Sequence, residues 1–227
     1  MLLPNPSELT ITLETGATTA LVYRNERDAR ATLILGHGAG AGQRSAFMVD
    51  FAHALSALGV DIVTFNFLYT EQGRKIPDRA PVLEACYRAV IAAARANIDS
   101  ARRALFIGGK SMGGRVASLV ADALHEQGLI AGCVGLGYPF HPPKSAQTLR
   151  VAHLATLRCP TLIIQGTRDA LGNRAEVMGY DLSASIKLHW LDDGDHDFKP
   201  RKASGHTQDG HIKAAAAAMA AFAASTV

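Results

Sequence analysis

The strongest restriction on the fold of this chain lies around residue 108. The apolar run Ala104–Ile107 has the look of a strand, and the stretch Arg115–Glu126 has the look of a helix. Between them stands Gly109-Lys110-Ser111-Met112-Gly113, followed by Gly114. A serine held between a strand and a helix, with glycines two positions before and after it, predicts a sharp turn. Only small residues avoid the clash at those flanking positions. Such a turn lifts the serine hydroxyl above a sheet and aims a helix N-terminus beneath it, where negative charge is favoured.

The rest of the chain fits a layered architecture around that turn. Two β-like runs, Leu9–Leu13 and Thr18–Tyr23, come first, separated at Gly16. Six further runs follow: Ala31–Leu35, Val60–Phe67, Ala104–Ile107, Ala131–Leu136, Thr161–Ile164 and Ile186–Leu191. Most are continuously apolar, as strands buried on both faces are. Helical stretches alternate with them at Phe47–Leu58, Pro81–Ala96, Arg115–Glu126 and Arg174–Ser183. Pro81 suits a first helical turn, and Gly59 and Gly128 suit helix ends. The alternation predicts an α/β fold with a mostly parallel central sheet, forming one domain over residues 1–227. The Ala-rich end, Ala214–Ala224, is expected to be a surface helix. Between Tyr138 and Cys159 a proline-containing connection is expected to hold one short helix near Leu149–Leu154, too little for a cap.

Three further motifs sit just past expected strands. Gly36-His37-Gly38-Ala39-Gly40 follows Ala31–Leu35, and small residues there let the backbone approach a substrate oxygen. The backbone N–H groups of Ala39 and Met112 are the expected oxyanion donors. Asp169, in Gln165-Gly166-Thr167-Arg168-Asp169, follows Thr161–Ile164, and His196, in Gly194-Asp195-His196-Asp197-Phe198, follows Ile186–Leu191. Parallel-sheet enzymes gather their functional groups at such positions. Other readings are weaker. A phosphate-binding P-loop would need a glycine where Ala104 stands. A dinucleotide fingerprint would need an acidic residue at the end of the next strand, which instead ends in Asn66-Phe67. His196, His206 and His211 lack the tight spacing of a zinc site, so no metal is expected.

Composition excludes several classes. The chain has 227 residues, 48% hydrophobic and 19% charged, enough to bury a full core without staples. A formal charge of +3, with only Lys199, Arg201 and Lys202 clustered, gives no basic face for nucleic acid. Cys86, Cys133 and Cys159 form neither a metal spacing nor a disulfide framework. Met1–Leu9 lacks the features of a signal peptide, and no run spans a bilayer, so a cytoplasmic protein that needs no membrane is expected.

With these motifs in this order, the chain resembles the α/β-hydrolase superfamily over nearly its whole length. Gly-His-Gly-Ala-Gly, Gly-Gly-Lys-Ser-Met-Gly-Gly-Arg, Gly-Thr-Arg-Asp and Gly-Asp-His-Asp-Phe are similar to a subgroup of bacterial predicted hydrolases and animal testis-expressed hydrolase-like proteins. Dienelactone hydrolases are more distantly similar, but they use a cysteine nucleophile where this chain has Ser111. The resemblance implies a catalytic triad of Ser111, Asp169 and His196, a nucleophile elbow flanked by Gly109 and Gly113, and no cofactor. It implies a serine hydrolase acting on small-molecule carboxyl esters or thioesters. Candidates for the substrate pocket are His37, Tyr69, Tyr138 and Phe140, although the Phe67–Tyr69 segment equally fits a strand end packed under the sheet. Some members of the subgroup act in protein complexes. A non-catalytic scaffold therefore stays open, as does a protein partner that no residue pattern here identifies.

Overall fold

The computed structural model describes residues 5–25 and 28–227. Residues 1–4, part of the stretch read for a leader, lie outside the described residues. In chain order the elements are β1 (Ser7–Leu13), β2 (Gly16–Tyr23), β3 (Ala31–Gly36), α1 (Ala46–Ser56), β4 (Val60–Phe65), α2 (Leu68–Glu71), α3 (Ala80–Asn97), α4 (Asp99–Arg103), β5 (Leu105–Lys110), α5 (Met112–Glu126), β6 (Gly132–Leu136), β7 (Thr161–Gly166), α6 (Arg174–Val177), β8 (Ile186–Leu191) and α7 (Gln208–Thr226), with a single 3-10 turn at Lys202–Ser204 before α7. The eight strands form one sheet in the order β1-β2-β4-β3-β5-β6-β7-β8. The β1–β2 and β2–β4 pairs are antiparallel and the others parallel, as expected of continuous apolar runs joined by helices.

Two apolar layers enclose the sheet. On one face α3 and α5 pack with α2 and the β6–β7 connection, burying Tyr87, Val90, Val116, Val120, Tyr138 and Phe140. On the other, α1 and α7 bury Phe51, Leu55, Phe106, Ile212, Met219 and Phe222. The Ala-rich helix is thus more than a surface element. Ala215, Ala216 and Met219 are fully buried, because methyl-sized side chains let it lie close against α1 and the sheet. Its N-terminus is capped by Thr207, whose Oγ1 accepts the Gly210 N–H at 3.0 Å.

Two expected helices shrink. The stretch from Arg174 is helical only to Val177. A capping box between Asn173 and Glu176 starts it, and a turn onto Gly179 ends it, freeing Tyr180 to pack on Phe140. Near Leu149–Leu154 there is one turn closed on the Val151 carbonyl. Helical growth there is opposed by side-chain anchoring: Leu154 and Leu157 are sunk in the core, and His153 Nε2 lies 2.9 Å from Ser118 Oγ. The β6–β7 connection therefore packs down as core cover, with no cap above the sheet. The short α2 and α4 did not stand out in the sequence.

Close packing at the centre requires glycine. A Cβ on Gly113 would sit 2.2 Å from the Gly36 carbonyl oxygen, and one on Gly109 would sit 2.5 Å from the same atom. These are backbone neighbours that no rotamer change can relieve. Gly113→Ala is expected to destabilise the fold by about 3 kcal/mol or more in urea unfolding, whereas Gly40→Ala, with nothing within 4 Å, should change it by about 0.5 kcal/mol or less.

Candidate active site

Ser111 sits where β5 hands over to α5, with φ 51° and ψ −114°. A residue with a Cβ reaches this conformation only under strain, which the buried backbone on both sides maintains. Its N–H donates to the Leu136 carbonyl at 2.9 Å, tying the turn to β6. Its Oγ lies 2.9 Å from His196 Nε2. His196 Nδ1 lies 2.9 and 3.0 Å from the two oxygens of Asp169. One hydrogen-bonded chain thus links residues supplied by the ends of β5, β7 and β8.

Burial along this chain is graded. Asp169 is fully buried, while the His196 side chain is 26% exposed. A buried carboxylate needs all its lone pairs engaged. Oδ1 accepts the Leu171 N–H at 2.8 Å, and Oδ2 accepts from Gln165 Nε2 at 2.9 Å. Gln165 is itself held by Tyr138, whose N–H donates to its Oε1 at 2.7 Å and whose carbonyl accepts from its Nε2 at 3.1 Å. Gln165 was missed as a site residue in the sequence, where it stands only as the first residue of the motif that ends in Asp169. The only available signal was a polar side chain at the end of a wholly buried strand.

Asp193, Asp195 and Asp197 are occupied elsewhere. Asp193 is bound by Arg201 and Arg168. Asp195 Oδ1 accepts the N–H groups of Asp197 and Lys199, fastening its own loop. Asp197 lies beside Lys110, with Nζ to Oδ1 at 3.3 Å. His211 Nδ1 donates to the Phe198 carbonyl at 2.8 Å, and the His206 ring stacks 5.2 Å away. Among the described residues no three His, Cys, Asp or Glu side chains gather as metal ligands would.

The loop after β3 approaches the serine. A Cβ on Gly38 would stand 3.6 Å from Ser111 Cβ. Among the described residues, neither the Ala39 nor the Met112 N–H donates to a protein acceptor. For Met112 this follows from its place in the first turn of α5. The loop is clamped from below. His37 Nδ1–H donates to the Gly38 carbonyl at 2.8 Å, and His37 Nε2 accepts the Phe67 N–H at 3.1 Å. This pattern needs a neutral ring, and burial lowers the His37 pKa accordingly. Ala41 N–H also donates to the Gly38 carbonyl. The planar trans peptide then turns the Ala39 N–H the opposite way. Tyr69 Oη donates to the Ala39 carbonyl at 3.1 Å, fixing the next peptide.

This corrects the expected pocket. His37, Tyr69, Tyr138 and Phe140 are all buried and none lines the cavity beside Ser111. His37 and Tyr69 brace the loop, Tyr138 holds Gln165, and Phe140 packs between Tyr138 and Tyr180. The cavity, about 490 Å³, is instead bounded by residues 38–41, by Ala46, Phe47, Met48 and Asp50 at the start of α1, and by Lys110, His196, Asp197, Lys199 and Gln208. The first turn of α1 was read only as helix, because its role appears when the loop after β8 folds opposite it.

Comparison with known proteins agrees with this architecture. A lidless a/b serine hydrolase from Xanthomonas campestris superposes with a TM-score of 0.69 at 23% identity, covering 87% of this chain and 89% of its own. Dienelactone hydrolase from Anabaena variabilis gives 0.74 at 18% identity over 99% of this chain and 100% of its own. Est1E from Butyrivibrio proteoclasticus, with ferulic acid bound, gives 0.73 at 15% identity over 96% and 98%. At these identities the likeness is one of fold. Residues 29–224 match the family model of the alpha/beta hydrolase domain, and the chain belongs to that family.

Proposed function

We propose that this protein is a serine hydrolase that cleaves small carboxyl esters or thioesters through an acyl-enzyme. The observation that carries the reading is the continuous Ser111–His196–Asp169 hydrogen-bonded chain, with contacts of 2.9 to 3.0 Å. His196 Nε2 takes the Ser111 hydroxyl proton as Oγ attacks the carbonyl carbon. The Ala39 and Met112 N–H groups hold the resulting oxyanion. Collapse breaks the bond to the alcohol or thiol, which leaves with the proton from His196. Water, deprotonated by the same nitrogen, then attacks the acyl carbon, and Ser111 departs with that proton. Asp169 accepts the Nδ1–H bond throughout, orienting the ring and stabilising its charged form. The mechanism needs no cofactor. Ferulic acid in Est1E is a carboxylic acid, the class of product such a reaction releases.

The alignment of all three side chains in one hydrogen-bonded chain beside an open cavity favours this reading over a scaffold. We place the protein in the cytoplasm. No described helix is long and apolar enough to cross a membrane, and the three cysteines are free and buried.

Ser111→Ala should lose both ester hydrolysis and labelling by a fluorophosphonate probe while keeping its circular-dichroism spectrum. His196→Ala and Asp169→Asn should each lower kcat by roughly 10⁴-fold, whereas His206→Ala should change it little. Full activity in Ser111→Ala would remove the proposal. A second expectation concerns chain length. A buried methylene gains about 0.8 kcal/mol, and only where protein covers it. Without a cap, esters from acetate to palmitate should show no gain in kcat/KM beyond the first few carbons and no activation at lipid interfaces. A steady rise toward palmitate would refute the open site.

A further inference from the structure

Lys110 immediately precedes Ser111, and no step of acyl transfer uses it. Its side chain is only 8% exposed, yet it lines the same cavity as Ser111. Its ammonium lies 5.4 Å from the Phe47 ring centroid. Lys110 Nζ and His196 Nδ1 each stand 3.4 Å from the point where a Cβ on Gly137 would sit, so the cation is held beside the proposed base. An ammonium carries three donors. Among the described residues its ion-pair partner is Asp197, at 3.3 Å, and that side chain is 55% exposed. With one ion pair, to an exposed side chain, the ammonium has donor capacity left for an acceptor.

The other charges of the cavity, Asp50, Asp197 and Lys199, are all exposed and screened by water. The buried charges of the site are Lys110 and Asp169, and the Asp169 carboxylate is taken up by His196, Gln165 and the Leu171 N–H, so Lys110 is the buried charge that borders the cavity. We propose that Lys110 is a specificity-determining residue that makes the site select short esters carrying a carboxylate, such as monoesters of dicarboxylic acids, over neutral esters of similar length. The inference rests on the acyl-transfer reading of the same cavity. One buried cation matches one negative charge, whereas a dianion would leave excess charge facing Asp197. The substrate carboxylate replaces Asp197 as partner of Nζ, and Asp197 returns to water at little cost because its pairing is already half solvated. Phe47 and Met48 offer the apolar wall that the connecting methylenes cross. Burial lowers the pKa of Lys110, and Asp197, Asp169 and Asp195 oppose that shift in favour of the charged form.

The test compares kcat/KM for monomethyl glutarate and monomethyl adipate with that for methyl pentanoate and methyl hexanoate, followed by methanol release. The wild-type protein should favour the charged esters by about tenfold or more, the scale of a hydrogen bond to a charged group. Lys110→Met should abolish that preference, chiefly through KM for the charged esters. Asp197→Asn, which removes the competing carboxylate, should increase it. Labelling of Ser111 by a neutral fluorophosphonate is measured on each variant. A labelled wild type that cleaves both ester classes equally, or none of the four, overturns the assignment of Lys110 alone. The same holds if Lys110→Met lowers both classes in proportion, since that is the signature of a merely structural lysine. A wild type that neither labels nor cleaves any ester overturns the acyl-transfer reading, and this inference with it.

Discussion

The site depends on one close backbone approach. The Gly36 carbonyl, at the end of β3, lies inside the turn that carries Ser111, against both Gly109 and Gly113. A Cβ on Gly114 would also meet the Gly109 carbonyl oxygen at 2.6 Å, and one on Gly108 would meet the Val134 carbonyl oxygen at 2.3 Å. Strands β3, β5 and β6 are therefore in contact around the turn as bare backbone. Because the contact is between main chains, the position of the β3 loop relative to the serine does not depend on side-chain rotamers. The strain in Ser111 at φ 51° persists because its surroundings leave no room to relax.

From that contact outward, each functional group is fixed by groups that cannot themselves reach a substrate. Tyr87 fixes the strand: its hydroxyl accepts the Gly108 N–H and donates to the Ile34 carbonyl, both at 2.9 Å, joining α3 to β3 and β5. His37 and Tyr69 fix two successive peptides of the loop after β3. Gln165 fixes Asp169. Buried hydrogen bonds of this kind contribute modestly to net stability, but an unpaired partner is costly, so each holds a single geometry. Preorganisation of this sort suits electrostatic stabilisation, since nothing needs to reorient as charge develops.

How legible this was in the sequence follows from the range of each interaction. The turn at Ser111 is local: glycine spacing and a strand-to-helix change of period are enough to place it. Asp169 and His196 stood out because each follows an apolar run that had to be a parallel strand, and the loops after such strands converge. The bracing residues left no local mark. An aromatic at a strand end, such as Tyr69 or Tyr138, reads alike whether it faces a cavity or the core, and what decides is the packing of α2 and the β6–β7 connection. Gln165 and Lys110 stood inside the motifs that follow Ile164 and Ile107, but their own roles were illegible for the same reason: a polar residue at a strand end gives no sign of its partners until the chain folds. The helix expected near Leu149–Leu154 failed because Leu154, with Leu157 beyond it, anchors into the core while Leu149 stays exposed, a pattern that periodicity alone does not distinguish from a helical face.

The absent cap changes which forces can confer selectivity. With the β6–β7 connection lying flat over Leu154 and Leu157, there is no lid to desolvate a long acyl chain. Apolar contact is left to Phe47, Met48 and a few alanines along one side of an open cavity. Such a wall separates homologous chains weakly, because one methylene changes binding by little more than thermal energy. Discrimination by charge is different. A buried cation distinguishes a carboxylate from a methyl group by a charge-assisted hydrogen bond that only the carboxylate accepts. On the proposed acyl-transfer reading, substrate choice falls to the polar floor rather than to the apolar wall.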